Sequence, residues 1–325
     1  MKEYVIGENE AGQRLDKFLA KLLREAPKSF LYKMLRKKNI TLNSRKASGN
    51  EKLVAGDTVR LFLSDETFGH FSGVQQNTAV SADLEILYED NDLLLINKPA
   101  GMLSQPDRSK EPSAVEYLTG YLLNSHQITE EQLTTFHPGV VNRLDRNTSG
   151  ILVCGKSLHG LQTASELFRT REIKKYYLCL AEGVLREKQH ISGYLVKNAK
   201  NNKVRVLSAP AEGAERIETG YEPLADNGEY TLLQIRLYTG KAHQIRAHLA
   251  SIGHPVAGDP KYNSSRKARE WAAKHGICRQ LLHAERIVFP EHLPELPSLE
   301  GREIAAPLPE DFGRVLSLLQ LQEAK

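Results

Sequence analysis

The chain changes its apolar texture once, and that change bounds what it can fold into. In residues 1–63 the apolar side chains keep helical spacing: Leu15, Phe18, Leu19, Leu22 and Leu23 fall on one face. Phe30, Leu31, Met34 and Leu35 give a second stripe over residues 28–38. Short strands are expected at residues 40–43 and, after the Gly56-Asp57 turn, at 58–63. Residues 64–83 are then rich in Gly, Ser, Gln, Asn and Thr and read as a flexible linker. From Leu84 the pattern is of strand-like runs at 84–88, 93–97, 151–154, 176–180 and 230–238. Helical stretches near 115–123, 158–169 and 243–251 lie between them. Strand and helix do not alternate regularly. The expected catalytic-sized portion, residues 84–325, is therefore an α+β domain with a mixed, mostly antiparallel sheet and flanking helices. A small basic α/β module precedes it.

Charge is segregated in the same way. Between Arg14 and Arg60, 13 Lys or Arg stand against 4 Asp or Glu, although the whole chain carries only +4. The remainder is therefore acidic, and the first module has the electrostatic footprint of a polyanion binder. Lys28, Lys33, Arg36, Lys37, Lys38, Arg45 and Lys46 are its candidate RNA-contacting cations. Some of those near residue 38 also suit the negative end of a helix dipole.

Hydrophobic residues at 40% and charged residues at 26% match an ordinary soluble protein. No apolar run is long enough to span a bilayer, and the first residues lack a secretory leader, so a cytoplasmic protein without membrane attachment is expected. Three scattered cysteines, Cys154, Cys179 and Cys278, do not make a disulfide framework or a zinc site. His243 and His248 are five residues apart and do not stack on one helix face, so no metal is expected there. Gly150 to Ser157 satisfies the letters of a phosphate-binding loop. Its interior, Ile151-Leu152-Val153-Cys154, instead reads as a buried strand, which excludes an anion cradle.

The segment that carries chemistry is Asn142-Arg143-Leu144-Asp145-Arg146-Asn147-Thr148-Ser149-Gly150. One carboxylate between two arginines reads either as an ionised reactive group or as a loop cap bonding to Thr148 or Ser149. The segment resembles the R-L-D-x-x-T-S-G signature of the RluA/RluD-type pseudouridine synthase family. Asn97-Lys98-Pro99-Ala100-Gly101, Lys175-Tyr176-Tyr177-Leu178, Thr239-Gly240-Lys241-Ala242-His243-Gln244-Ile245-Arg246-Ala247-His248, Gly253-His254-Pro255-Val256-Ala257-Gly258-Asp259 and Leu282-His283-Ala284 match further family motifs in order. The first 63 residues are similar to the alpha-L RNA-binding module. Together they resemble the branch of RluC and RluD, which acts on large-subunit ribosomal RNA, and Pro27 to Tyr32 favours the former.

The resemblance implies Asp145 as the catalytic, ionised aspartate, Tyr177 as active-site tyrosine and Arg246 as the basic partner. It implies that Arg143 helps hold the target nucleotide, with Lys98, His243, Gln244 and Ile245 on the substrate side. Many relatives have His where this chain has Asn142, which puts local RNA contacts there in doubt. The implied reaction breaks the bond from uracil nitrogen to ribose, turns the base and rejoins it through carbon five. It needs neither cofactor nor donor. A base inside folded RNA must first be flipped out. Asp145 then either attacks covalently or removes a sugar proton to leave a glycal. The expected partner is large-subunit ribosomal RNA, met by a monomer without an obligatory protein partner. Transfer RNA as substrate and a non-catalytic RNA-binding protein remain alternatives. A glycoside hydrolase would need a second nearby carboxylate as general acid.

Overall fold

The computed structural model describes residues 1–72, 80, 83–109, 111–130, 132–197 and 203–321. The first module is built as its spacing dictates. Helix α1 (Leu15–Leu22) buries Leu15, Phe18, Leu19 and Leu22. Helix α2 (Lys28–Arg36) buries Leu31, Met34 and Leu35. It ends two residues before the expected boundary, because the amide of Asn39 turns back onto the carbonyl of Met34 while Lys38 is left-handed. These helices cover a four-stranded sheet made of β1 (Lys2–Val5), β2 (Ile40–Leu42), β3 (Arg45–Lys46) and β4 (Thr58–Leu61), in the order β1-β4-β2-β3. Asn43 and Ser44, with φ of 49° and 63°, form the tight hairpin between β2 and β3. Positive φ at both central residues matches the right-handed twist of the strands.

The linker expectation needs correction. Its first part is helix α3 (Asp65–Ser72), whose Phe68 and Phe71 pack on the core of the first module. Two aromatics three residues apart supply a small apolar stripe, and Phe71 lies 4.5 Å from Phe30. Residues 73–79 and 81–82 of that stretch lie outside the described residues.

The remaining strands are β5 (Ile86–Glu89), β6 (Leu93–Lys98), β7 (Gly139–Val140), β8 (Ser149–Gly155), β9 (Lys174–Glu182), β10 (Gln189–Lys197), β11 (Val204–Leu207), β12 (Glu215–Asp226), β13 (Tyr230–Leu237), β14 (Leu282–Val288) and β15 (Glu303–Ala305). They form one 11-stranded sheet running β11-β10-β12-β13-β9-β14-β8-β6-β5, with β15 on β14 and β7 on β8. The fold is mixed α+β and largely antiparallel; β14 and β8 pair in parallel. Helices α4 (Ala114–Asn124), α5 (Leu158–Thr170), α6 (Gln244–Ser251), α7 (Arg266–Lys274) and α8 (Glu310–Leu318) flank it. A capping box between Ser113 and Glu116 starts α4. The principal core lies between one sheet face, represented by Leu94, Leu152, Tyr177, Leu233 and Ile235, and Leu118, Leu122, Ile245 and Leu249 of α4 and α6.

The stretch that mimics a phosphate loop is strand β8, buried throughout, and Ser157 caps α5. Gly150 has φ of 109°, and a Cβ there would stand 2.1 Å from the Ala284 carbonyl. Only glycine lets β8 lie this close to β14.

The two modules touch. Thr135 Oγ1 donates to Glu10 at 2.7 Å, and the Leu158 amide donates to Asn9 Oδ1 at 3.0 Å.

Candidate active site

Asp145 sits in the loop that enters β8, and the loop is held from several sides. Ser104 Oγ donates to the Leu144 carbonyl at 2.9 Å. Lys98, fully buried, directs its amine at the carbonyls of Pro99, Met102 and Arg146 at 2.8, 3.0 and 3.1 Å. Burial, then the charge of Arg279, pulls the Lys98 pKa down to about 7, with Asp145 pulling the other way. Gln280 donates to Thr148 Oγ1 at 3.1 Å, and Ser149 Oγ bonds His283 Nδ1 at 3.0 Å. The small polar residues of the motif thus dock the loop onto the approach to β14. Arg279, gripped by Asp311 at 2.6 and 2.7 Å, also reaches the Asn147 carbonyl.

The Asp145 side chain does not cap its own loop. Oδ2 accepts from Arg246 Nη1 at 2.6 Å, while Oδ1 has no hydrogen-bond partner among the described residues. Arg246 rises from α6 and is held on its other edge by Asp259, with Nε to Oδ2 at 2.6 Å and Nη2 to Oδ1 at 2.9 Å. Side-chain exposure is 22% at Asp145, 7% at Arg246 and 0% at Asp259. Burial works against the Arg246 charge, but the bonds and charges of Asp259 and Asp145 outweigh it and raise its pKa. Asp259 also accepts from the amides of Lys261 and Tyr262 at 2.8 and 3.2 Å. The Tyr262 ring then lies 5.2 Å from the Arg246 guanidinium, and its hydroxyl shares a 2.9 Å hydrogen bond with His243 Nδ1.

Tyr177 on β9 is buried in the principal core, whereas Tyr176 faces the opposite side under Arg286. Burial, reinforced by the charge of Asp145, raises the Tyr177 pKa, so its hydroxyl stays protonated near neutrality. Burial also lowers the pKa of His243; Asp145 opposes, and Arg246 and Lys261 add to the lowering. Lys261 feels burial and then Arg246, both lowering its pKa, against Asp145. Arg143 is exposed and makes no ion pair among the described residues.

The other expected residues fall into two groups. Gln244 is buried, bonding Thr239, Lys241, Glu218 and Thr219 between α6 and β12. Ile245 belongs to the principal core, and the Lys98 amine is taken up by carbonyls. None of these three presents a polar group to solvent. Lys28, Lys33, Arg36, Lys37, Lys38, Arg45 and Lys46 are all exposed, with no ion pair among the described residues. Arg45 and Lys46 line a groove of about 460 Å³.

Asp259, Lys261 and Tyr262 were not singled out from the sequence. The signal available was an acid directly after Gly258 in a matched motif. Asn142, where a change of RNA contact was expected, instead bridges to β8: Val153 N donates to it at 2.8 Å and it donates to the Ile151 carbonyl at 3.3 Å. Its amide stands in for a strand partner where β7 has ended.

An Asp–Arg–Asp chain, buried at Arg246 and Asp259 and half-buried at Asp145, leaves one Asp145 oxygen without a hydrogen-bond partner among the described residues, which suits nucleophilic or proton-abstracting chemistry. Residues 92–251 match the model of RNA pseudouridylate synthase. The chain is 32% identical to ribosomal large subunit pseudouridine synthase C of Vibrio vulnificus, over 97% of this chain and 95% of that protein. The chain belongs to the RNA pseudouridylate synthase family. The C enzyme of Escherichia coli K12 is 31% identical over 98% and 97%, and the D enzyme of Nitrosomonas europaea 31% over 98% and 88%. Among solved structures, human RNA pseudouridylate synthase domain containing 4 shares the fold, with a TM-score of 0.60 and 23% identity over 74% of this chain and 94% of that one. As a pseudouridine synthase of the RluC and RluD branch, the chain isomerises uridine in RNA.

Proposed function

We propose that the substrate is large-subunit ribosomal RNA and that Asp145 Oδ1 is the atom that meets the flipped-out uridine. The observation carrying this reading is the Asp145–Arg246 contact of 2.6 Å, which leaves that one oxygen without a partner among the described residues. Near full-length similarity to the large-subunit enzymes supports the substrate. Covalent attack and sugar-proton removal both start from this oxygen. Arg246 holds the carboxylate by a charge-assisted bond while the glycosidic bond breaks. The buried Tyr177 packs on the base and offers a donor hydrogen rather than a phenolate. Arg143 holds a phosphate of the splayed backbone.

In the same reading residues 1–63 form an alpha-L RNA-gripping module and residues 84–325 the catalytic domain. The seven exposed cations of the module contact phosphates and supply affinity and orientation without reading sequence. The protein works as a cytoplasmic monomer.

The test is pseudouridine mapping by carbodiimide primer extension on ribosomal RNA from cells lacking the protein. Complementation uses wild type or Asp145→Asn. Large-subunit sites should vanish in the deletion, return with wild type and stay absent with the variant. Unchanged large-subunit sites would reject the substrate, and restoration by the variant would reject Asp145.

A further inference from the structure

The guanidinium of Arg246 has two edges that can each fork onto a carboxylate. Asp259 occupies the Nε–Nη2 edge with both of its oxygens, at 2.6 and 2.9 Å. The other edge, Nη1 with the second hydrogen of Nη2, is held in that orientation so that only Nη1 meets Asp145, and it reaches a single oxygen. Asp259 is itself held from several sides. Its side chain is fully buried, its Oδ1 is fixed by the amides of Lys261 and Tyr262, and Gly258 before it lies so close to the Arg279 carbonyl that a Cβ would stand 2.3 Å away. The ring of Tyr262 closes one face of the guanidinium.

We infer that Asp259 is a positioning residue that keeps Arg246 on one oxygen of Asp145 and so keeps the other oxygen open to the nucleotide. The inference rests on Asp145 being the reacting group. Without Asp259, an arginine beside a lone carboxylate relaxes toward the two-pronged pairing that such groups prefer, and both oxygens are then engaged. Asp259 also takes up much of the positive charge, so Arg246 orients Asp145 more than it neutralises it. The role is distinct from that of an inert buried counter-ion, which would tolerate any arrangement that keeps the charge satisfied.

The experiment is a double-mutant cycle on the full-length protein with Asp259→Asn and Arg246→Lys. Lysine carries the charge but cannot fork. Single-turnover release of tritium from carbon five of labelled uridine in a large-subunit RNA fragment gives the rate at saturating enzyme. Filter binding gives the Kd. Asp259→Asn should lower the rate about 10²-fold, the scale of a misplaced reacting group, with Kd within about twofold. Adding Arg246→Lys to it should cost nothing further or recover part of the loss. Wild-type rates for Asp259→Asn, or losses that simply multiply in the double variant, overturn the inference. Asp145→Asn run alongside separates the two readings: if it stays active, the assignment of Asp145 fails rather than that of Asp259. If Asp259→Asn does not fold by circular dichroism, Asp259→Glu takes its place in the cycle under the same criteria, since it keeps the charge and displaces the guanidinium.

Discussion

The molecule uses positive charge in two opposite ways. The cations of the first module, Lys28 to Lys46, are exposed and without ion pairs among the described residues. Arg246 and Lys98 are buried, and among the described residues their side-chain hydrogen bonds all go to carboxylates or carbonyls. Exposed charges are screened by salt and act nearly independently, so they sum into affinity. Buried charges cannot move without leaving a partner unsatisfied, so they act as a unit and fix geometry.

The largest effect should come from the buried end of that contrast. Arg246→Met should slow single-turnover isomerisation about 10²–10³-fold, the cost of one preorganised partner at a reacting centre. Its RNA affinity by filter binding should stay within about twofold. The deficit should be the same at 50 and 300 mM salt; a deficit that shrinks with salt would place Arg246 with the surface cations.

Lys98→Met should destabilise the fold by about 3 kcal/mol in urea denaturation, since three carbonyls lose their donor. Its pH dependence sharpens the point. The folded pKa is pulled down to about 7, so between there and the ordinary lysine value the unfolded chain binds more protons. The margin of wild type over Lys98→Met should therefore grow as pH rises from about 7 to 10. A flat margin would mean that the carbonyl cage keeps the third proton in place against burial.

The smallest effect belongs to the surface. Lys37→Ala combined with Lys38→Ala should weaken RNA binding several-fold and reduce the slope of log affinity against log salt by about 2, with the saturating rate unchanged. A changed rate would show that the module also shapes the reacting centre.

The two regions also differed in how well the sequence disclosed them. Helices α1, α2, α4, α5 and α6 and strands β2, β4, β5, β6, β8, β9 and β13 were legible, from apolar residues at the helical or strand period or, in β6 and β8, from short unbroken apolar runs. Strand β12 was not, although it is 12 residues long. Its buried positions run Ile217, Thr219 and Tyr221, and a threonine in the middle hides the alternation. Strand β10 buries Gly193 and Leu195, and the glycine hides its alternation. Strand β1 was missed because it is only four residues long and Tyr4 is its one core-packed side chain. At the candidate site, Asp145, Arg246 and Tyr177 were named from motifs, and they do converge. Asp259 stayed hidden because its meaning lies in a contact 13 residues away across a turn, which no local pattern encodes. Lys98 and Gln244 were motif residues whose bonds turn inward, and a motif does not say which way a side chain faces.

The close passage of β8 beside β14 fixes an order of events during synthesis. Thr148 and Ser149, in the loop bearing Asp145, bond residues that follow them by 132 and 134 positions, Gln280 and His283. The core of the first module closes within residues 1–72. Domains that emerge first fold first, and distant contacts form last. Under the proposed assignments, a growing chain therefore acquires its hold on RNA well before it acquires a reactive carboxylate. A product cut short ahead of β14 would be an occupant of the RNA and not an editor of it, so full translation is itself the step that arms the enzyme.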